Sequence, residues 1–175
     1  MRGEQVERDE ILTLDDAALS RIVKLEFTRG TGNGGQKRNK TSTAVRVVLD
    51  EYGVAASDCS ERSQHRNRAA ALRKLRMALA LEVRREPLPP PRAKCASDSP
   101  DYPLFAARLL DAVAAAGGDY RSAAAAWGVS PSALLRTLER DPLLWAWLKR
   151  HYPRFFVRSA ADGDGKNDTA EEGGK

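Results

Sequence analysis

The stretch RGTGNGGQKRNKTSTAVRVV, residues 29–48, decides how this chain is read. Gly30, Gly32, Gly34 and Gly35 fall within six residues, Gln36 follows, and three of the next four residues are Lys or Arg. Glycine frees the backbone to take positive φ and to come close to a ligand. Between Phe27 and Leu49 there is no carboxylate, while Arg29, Lys37, Arg38, Lys40 and Arg46 supply five cations. Such a segment folds poorly on itself and well against phosphates. The GxxxxGK(S/T) phosphate loop is excluded, because Gln36 stands where that motif needs Lys. The dinucleotide pattern GxGxxG matches in its glycines, but here the loop joins two strands rather than a strand and a helix. A plain glycine turn does not account for the surrounding charge.

Outward from the loop, the pattern is that of a small α+β domain. Upstream, Val23, Leu25 and Phe27 alternate with Lys24 and Glu26, the period of a half-buried strand. Before it, Thr13 is expected to open a short helix, with Asp15 and Asp16 in its first turn and Leu14, Ala17, Ala18 and Ile22 as apolar positions. Downstream, AVRVVL (44–49) reads as a second strand, DEYG (50–53) as a turn and residues 54–57 as a third strand. Residues 61–85 turn helical: Leu72, Leu75, Leu79 and Val83 recur every three or four residues. Arg62, Arg66, Arg73, Arg76 and Arg84 fall within roughly 80° of arc beside that apolar face. No Glu interrupts this stripe, which reads either as an RNA-contacting face or as ordinary solvated surface.

The segment closely resembles the catalytic domain of class I peptide chain release factors. The matching residues are Arg29, Thr31, Gly32, Gly34, Gly35 and Gln36, then Asn39, Lys40, Thr41, Thr43, Ala44, Val45 and Arg46. About fifteen residues on come Glu61, Arg62, Ser63, Gln64, Arg66, Asn67 and Arg68, leading to Ala69 and Leu72. The resemblance covers about residues 14–86. It implies a short mixed sheet packed on a long basic helix, with the Gly-Gly-Gln loop protruding. It also implies a reaction: hydrolysis of the ester between a nascent peptide and the 3′ adenosine of P-site tRNA, in the peptidyl transferase centre of the large ribosomal subunit. Gly34, Gly35 and Gln36 would be catalytic. Arg29, Lys37, Arg38, Asn39, Lys40, Arg46, Arg62, Arg66, Arg73 and Arg76 would contact RNA. The partners implied are the ribosome with its ribosomal RNA, peptidyl-tRNA, and a glutamine methyltransferase acting on the Gln36 side chain at N5. No metal and no cofactor is expected.

The chemistry of the residues agrees with that reaction. Ester hydrolysis needs a positioned water and a donor for the developing oxyanion. The Gln36 main-chain N–H can donate, and its amide can orient water and exclude larger nucleophiles. Three departures from the family pattern stand out. Lys37-Arg38 follows Gln36 where His-Val is common. With about 28 residues before the loop, no codon-reading domain is expected, hence codon-independent ribosome rescue. Rescue-type relatives often carry a basic tail, whereas residues 159–175 hold five acids and two lysines.

Six of the nine prolines lie in residues 87–103, which reads as a stiff linker. The domains expected are therefore 1–86 for the catalytic domain, 87–103 for the linker, 104–158 for an all-α unit and 159–175 for a disordered acidic tail. In the all-α unit, a helix is expected to stop at Gly117-Gly118, a second to run over 120–127 and a third to open at Ser130-Pro131. The turn at Gly128 beside Ala124 resembles a helix-turn-helix. Ser132, Arg136 and Arg140 would then face a nucleic acid. Alternatively the unit only packs, with Trp127, Leu134, Leu138, Leu144 and Trp145 as its core.

The whole chain of 175 residues carries +5. Without the tail, the first 158 residues hold 27 cations against 19 acids, a net +8 that favours a polyanionic partner. Cys59 and Cys95 are far apart and fit a reducing compartment. No signal peptide or membrane span is expected, so the reading is a cytoplasmic monomer. The alternative to an ester hydrolase is a non-catalytic RNA- or ribosome-binding protein that keeps the fold; a DNA-binding regulator using residues 119–141 is a further reading.

Overall fold

The structure, a computed structural model, describes residues 7–28, 44–90 and 94–153. The chain divides into two compact units, Met1–Asp111 and Ala112–Lys175, with the division falling inside one helix.

The first unit opens with two short helices, α1 (Arg8–Thr13) and α2 (Asp16–Ile22). Three strands follow, β1 (Lys24–Thr28), β2 (Ala44–Leu49) and β3 (Val54–Asp58), and then the long helix α3 (Gln64–Glu82). Thr13 does not open a helix. It ends α1, where its hydroxyl donates to the Glu10 carbonyl at 2.8 Å. The cap of α2 is Asp15, whose carboxylate accepts from the Ala18 N–H at 2.7 Å. Both residues are good caps, and α1, which the sequence pattern did not reveal, claims Thr13 for its C-terminal end.

The sheet has the order β1-β2-β3 and is antiparallel throughout, rather than mixed. Strands consecutive in sequence are neighbours in the sheet, so no crossover connection that would make a parallel pair is needed. Val45, Val47 and Leu49 alternate on the face toward α3 and are buried. A 3-10 turn at Asp50–Tyr52 closes with Gly53 at φ 64°, the left-handed conformation glycine tolerates. From α3, Ala71, Leu72, Leu75, Leu79 and Ala80 complete the core, joined by Ile11, Leu12, Leu19, Val23 and Val54. Val83, expected on this face, is the half-buried C-cap of α3.

The expected boundary at residue 86 does not coincide with the division observed. Helix α4 (Tyr102–Ala115) contributes its residues up to Asp111 to the first unit, and Ala107 lies in that unit's core. The reason is electrostatic as well as apolar. Asp111 is 1% exposed and gathers Arg8, which is 1% exposed, and Arg84, at 2.6 Å and 2.9 Å.

The second unit holds the end of α4, then α5 (Tyr120–Trp127), α6 (Pro131–Arg140) and α7 (Pro142–His151). Each start has a side-chain cap: Asp119 for α5, Ser130 for α6 and Asp141 for α7. Pro131 and Pro142 sit where a missing N–H costs nothing. Trp127, Leu134, Leu138 and Leu144 are buried as expected. Trp145 is not: it is half-buried, with the Lys149 ammonium over its ring, and Trp147 and Leu148 are buried instead. On a helix of about 3.6 residues per turn, Leu144, Trp147 and Leu148 share a face that Trp145 leaves.

Gly118, in the turn three residues past the end of α4, has φ 80°, and a Cβ there would lie 2.6 Å from the Tyr152 ring. Both the conformation and the space require glycine. Gly118→Ala is expected to destabilise the second unit by about 1–3 kcal/mol. A loss of helical signal for residues 112–151 at lower denaturant, with the first unit's transition unmoved, would check this by residue-resolved hydrogen exchange. Among the described residues, no helix is long and apolar enough to cross a membrane.

Candidate functional site

Residues 29–43 lie outside the described residues, and with them Arg29, Gly34, Gly35, Gln36, Lys37, Arg38, Asn39 and Lys40. What is described is how the chain delivers that loop. Thr28 of β1 pairs directly with Ala44 of β2, so the two ends of the loop leave the sheet side by side. Glu26 and Arg46 oppose each other two residues back, their charged groups 3.9 Å apart, with Lys24 3.2 Å from Glu26. Arg46 is 56% exposed, so this contact adds little stability and leaves the cation available. Phe27, on the α3-facing side of β1, is 49% exposed and stands one residue from the strand's end.

A second group of expected site residues begins where β3 turns into α3. Two buried polar side chains shape this turn. Asp58 accepts from the Ser60 N–H at 3.0 Å, the Ser60 hydroxyl at 2.7 Å and the Lys74 ammonium at 2.6 Å. Asn67 is fully buried; its Oδ1 accepts from the Glu61 N–H at 2.8 Å and its Nδ2 donates to the Glu61 carbonyl at 2.9 Å. Ser63 caps α3 by accepting from the Arg66 N–H at 3.4 Å. Glu61, Arg62 and Arg66 are thereby presented to solvent on a braced turn. The Arg66–Glu61 pair, at 3.8 Å and well exposed, is a weak one.

Neither Asp58 nor Lys74 could be singled out from the sequence, since residues 16 apart meet only once β3 has packed on α3. Burial alone would raise the Asp58 pKa, but its bonds to Lys74 and Ser60 outweigh that and hold it at about 2. A carboxyl whose folded pKa lies below its unfolded value stabilises the fold fully above the unfolded value. That contribution fades as pH falls from about 4 toward 2. Asp58→Asn is expected to lose up to about 2 kcal/mol at neutral pH and to flatten the acid limb of the stability curve. Urea unfolding from neutral pH down to acid checks both.

The arginine stripe is divided. Arg62, Arg66 and Arg73 are exposed. Arg76 is not part of that face: at 9% exposure it donates to Asp16 at 2.7 Å and to the Leu14 carbonyl at 2.7 Å. It lies at the edge of the arc, about 40° from Leu72, where α2 covers the helix. Arg84 lies past the end of α3 and turns to Asp111 and to the carbonyls of Ala80 and Ala107. In the second unit, Ser132, Arg136 and Arg140 are exposed on α6 beside Glu139.

Comparison with known proteins addresses the same segment. A family model described as the RF-1 domain matches residues 17–99. Similar curated proteins include peptide chain release factor 2 of Sulfurimonas denitrificans, 34% identical over 79 residues, which are 45% of this chain and 20% of that protein. Peptide chain release factor 2 of Borreliella burgdorferi is 40% identical over 57 residues, 33% of this chain and 16% of that protein. Peptide chain release factor 1 of Thermotoga maritima is 46% identical over 57 residues, 33% and 17% of the two chains. The chain thus spans about a fifth or less of the length of these relatives. The glycine loop, the antiparallel sheet on either side of it and the braced start of α3 all fall inside residues 17–99, the segment that matches the RF-1 domain model and is similar to part of these class I release factors.

Proposed function

We propose that this chain hydrolyses the ester of peptidyl-tRNA on the ribosome, without reading a codon, and so frees stalled ribosomes. The observation that carries the reading is the placement of Gly34-Gly35-Gln36 in an RF-1 domain, between two strands whose last pair is Thr28–Ala44. Water is the nucleophile. It attacks the ester carbonyl carbon, negative charge develops on the carbonyl oxygen, and the bond to the 3′ oxygen of the tRNA breaks as that oxygen takes a proton. The Gln36 N–H donates to the developing charge, and its side-chain amide orients the water. The glycines let the backbone enter a crowded RNA cavity. Arg29, Lys37, Arg38, Asn39, Lys40 and Arg46 hold nearby phosphates, and Arg62, Arg66 and Arg73 hold phosphates along α3. Arg76 drops out of that set, because its guanidinium is committed to Asp16 and Leu14.

The same reading takes the protein to be a cytoplasmic monomer whose Gln36 is a substrate for N5-methylation. The test is a release assay on ribosomes carrying peptidyl-tRNA, with a stop codon, a sense codon or an empty A-site. Equal release from all three supports the reading. Release at the stop codon alone overturns codon independence, and binding without release in all three makes the chain an RNA-binding relative rather than a hydrolase.

A further inference from the structure

A cleft of about 290 Å³ lies between α2 and α3. Asp16, Ala17 and Ser20 line it from α2, and His65, Arg68, Ala69 and Leu72 from α3. On each helix these positions form one face, i, i+1, i+4 on the first and i, i+3, i+4, i+7 on the second. Leu72 is buried and Ala69 half-buried, whereas Asp16, Ala17 and His65 are exposed, so the depth of the cleft is apolar and its rim polar.

The charge at that rim is unbalanced. The Asp16 carboxylate is taken by Arg76 at 2.7 Å, and the Ser20 hydroxyl donates to the Asp16 carbonyl at 2.6 Å. Among the described residues, His65 and Arg68 have no hydrogen-bond or ion-pair partner. An imidazole and a half-buried guanidinium thus stand over small apolar side chains. Both are planar groups that stack on aromatic rings, and the guanidinium also binds phosphate. Arg62 and Arg66 are exposed at the same end of α3, with Arg73 one residue past Leu72.

We infer that this cleft takes one unstacked nucleotide of a single-stranded RNA, its base against Ala17, Ala69 and Leu72 and its phosphate at Arg68. A base has apolar faces and a polar edge, which matches an apolar depth with a polar rim, and extruded bases stack on His rings and Arg planes. The volume suits a single nucleotide and falls just short of the usual size of drug-like sites. One arginine is a poor anchor for a free mononucleotide, whereas in a strand the neighbouring phosphates reach Arg62, Arg66 and Arg73. The inference rests on an RNA partner for the domain and is independent of ester hydrolysis.

The test uses the full chain with a single-stranded RNA of about ten nucleotides, the matching duplex, and free AMP and UMP. Ala69→Leu fills the cleft without changing charge, and Ala17→Leu does so from an exposed position that the fold does not depend on. Either is expected to weaken single-strand binding roughly tenfold and duplex binding by less than about twofold. Amide shifts on adding the single strand should centre on residues 16–20 and 65–72. Unchanged single-strand affinity in both variants overturns the inference. So does AMP or UMP binding the cleft as tightly as the strand, which would make it a mononucleotide pocket.

Discussion

On the proposed mechanism, Gln36→Pro and Gly35→Ala are each expected to slow peptide release by at least about 10²-fold while leaving ribosome binding within a few-fold of the parent chain. The two changes act on the same atom group in different ways. Proline removes the Gln36 N–H, the donor proposed for the developing oxyanion, and a lost donor of that kind costs about 10²–10³ in rate. Alanine at position 35 keeps the donor but adds a Cβ, and it removes the conformational freedom that the proposed close approach to RNA would draw on. Binding is expected to survive because Arg46, Arg62, Arg66 and Arg73, together with the loop cations, would supply the phosphate contacts. Gln36→Ala keeps the N–H and loses the amide. It should therefore retain partial activity and shift the product ratio toward hydroxylamine when that nucleophile competes with water. Single-turnover release with each variant, with and without hydroxylamine, separates the two roles. Full activity in Gln36→Pro would sink the mechanism.

Asp111→Ala costs about 3–5 kcal/mol of stability in the first unit. Its carboxylate is held from both sides: Arg8 donates to Oδ1 at 3.0 Å and to Oδ2 at 2.6 Å, Arg84 to Oδ1 at 2.9 Å, and the Arg85 N–H to Oδ1 at 3.1 Å. Arg8 also donates to Asp9 at 2.6 Å and to the Val83 carbonyl at 2.8 Å, and Arg108 to Asp9 at 2.9 Å. Burial pulls the Arg8 pKa down, but its bonds to Asp111 and Asp9 more than offset that and raise it above the ordinary value. An arginine keeps its charge with or without a partner, so when Asp111 is removed the guanidinium stays buried and charged without its main partner. The expected rescue is informative. Arg8→Met combined with Asp111→Leu should recover at least half of the loss, because an apolar pair replaces a buried ion pair at little net cost. Urea unfolding of the single and double variants measures this, and additive losses in the double variant would show that the pair does not act as a unit. The cluster ties α1 and the first part of α4 to the end of α3; Arg8, Asp9, Arg108 and Asp111 all lie outside the segment that matches the RF-1 domain.

How far this was legible follows from the range over which each residue acts. The alternation of Val45, Val47 and Leu49, the spacing of Leu72, Leu75 and Leu79, and the caps at Ser130-Pro131 and Gly117-Gly118 are local signals, and the elements stand where those signals put them. Local signals also compete: Thr13 and Asp15 are both good caps, and it is Asp15 that caps α2. The division at Asp111 was hidden by the proline-rich stretch, because composition reports chain stiffness and not what the next helix binds.

By itself, the sequence determined the order of the three strands and α3, the dense positive charge of the loop, and the residues that resemble release-factor domains, since each depends on residues close together in the chain. The tertiary structure alone decided which arginines face outward. A helical wheel sets the angle of Arg76 to Arg66 but does not know that α2 lies over one edge of that arc with Asp16 and the Leu14 carbonyl waiting there. It likewise decided that Lys74 reaches back to Asp58 at the turn before α3, and that His65 and Arg68 meet Ala17 and Ser20 across a cleft. Contacts between residues 16 to about 100 positions apart form only when packing brings them together, and no spacing rule along the chain encodes them.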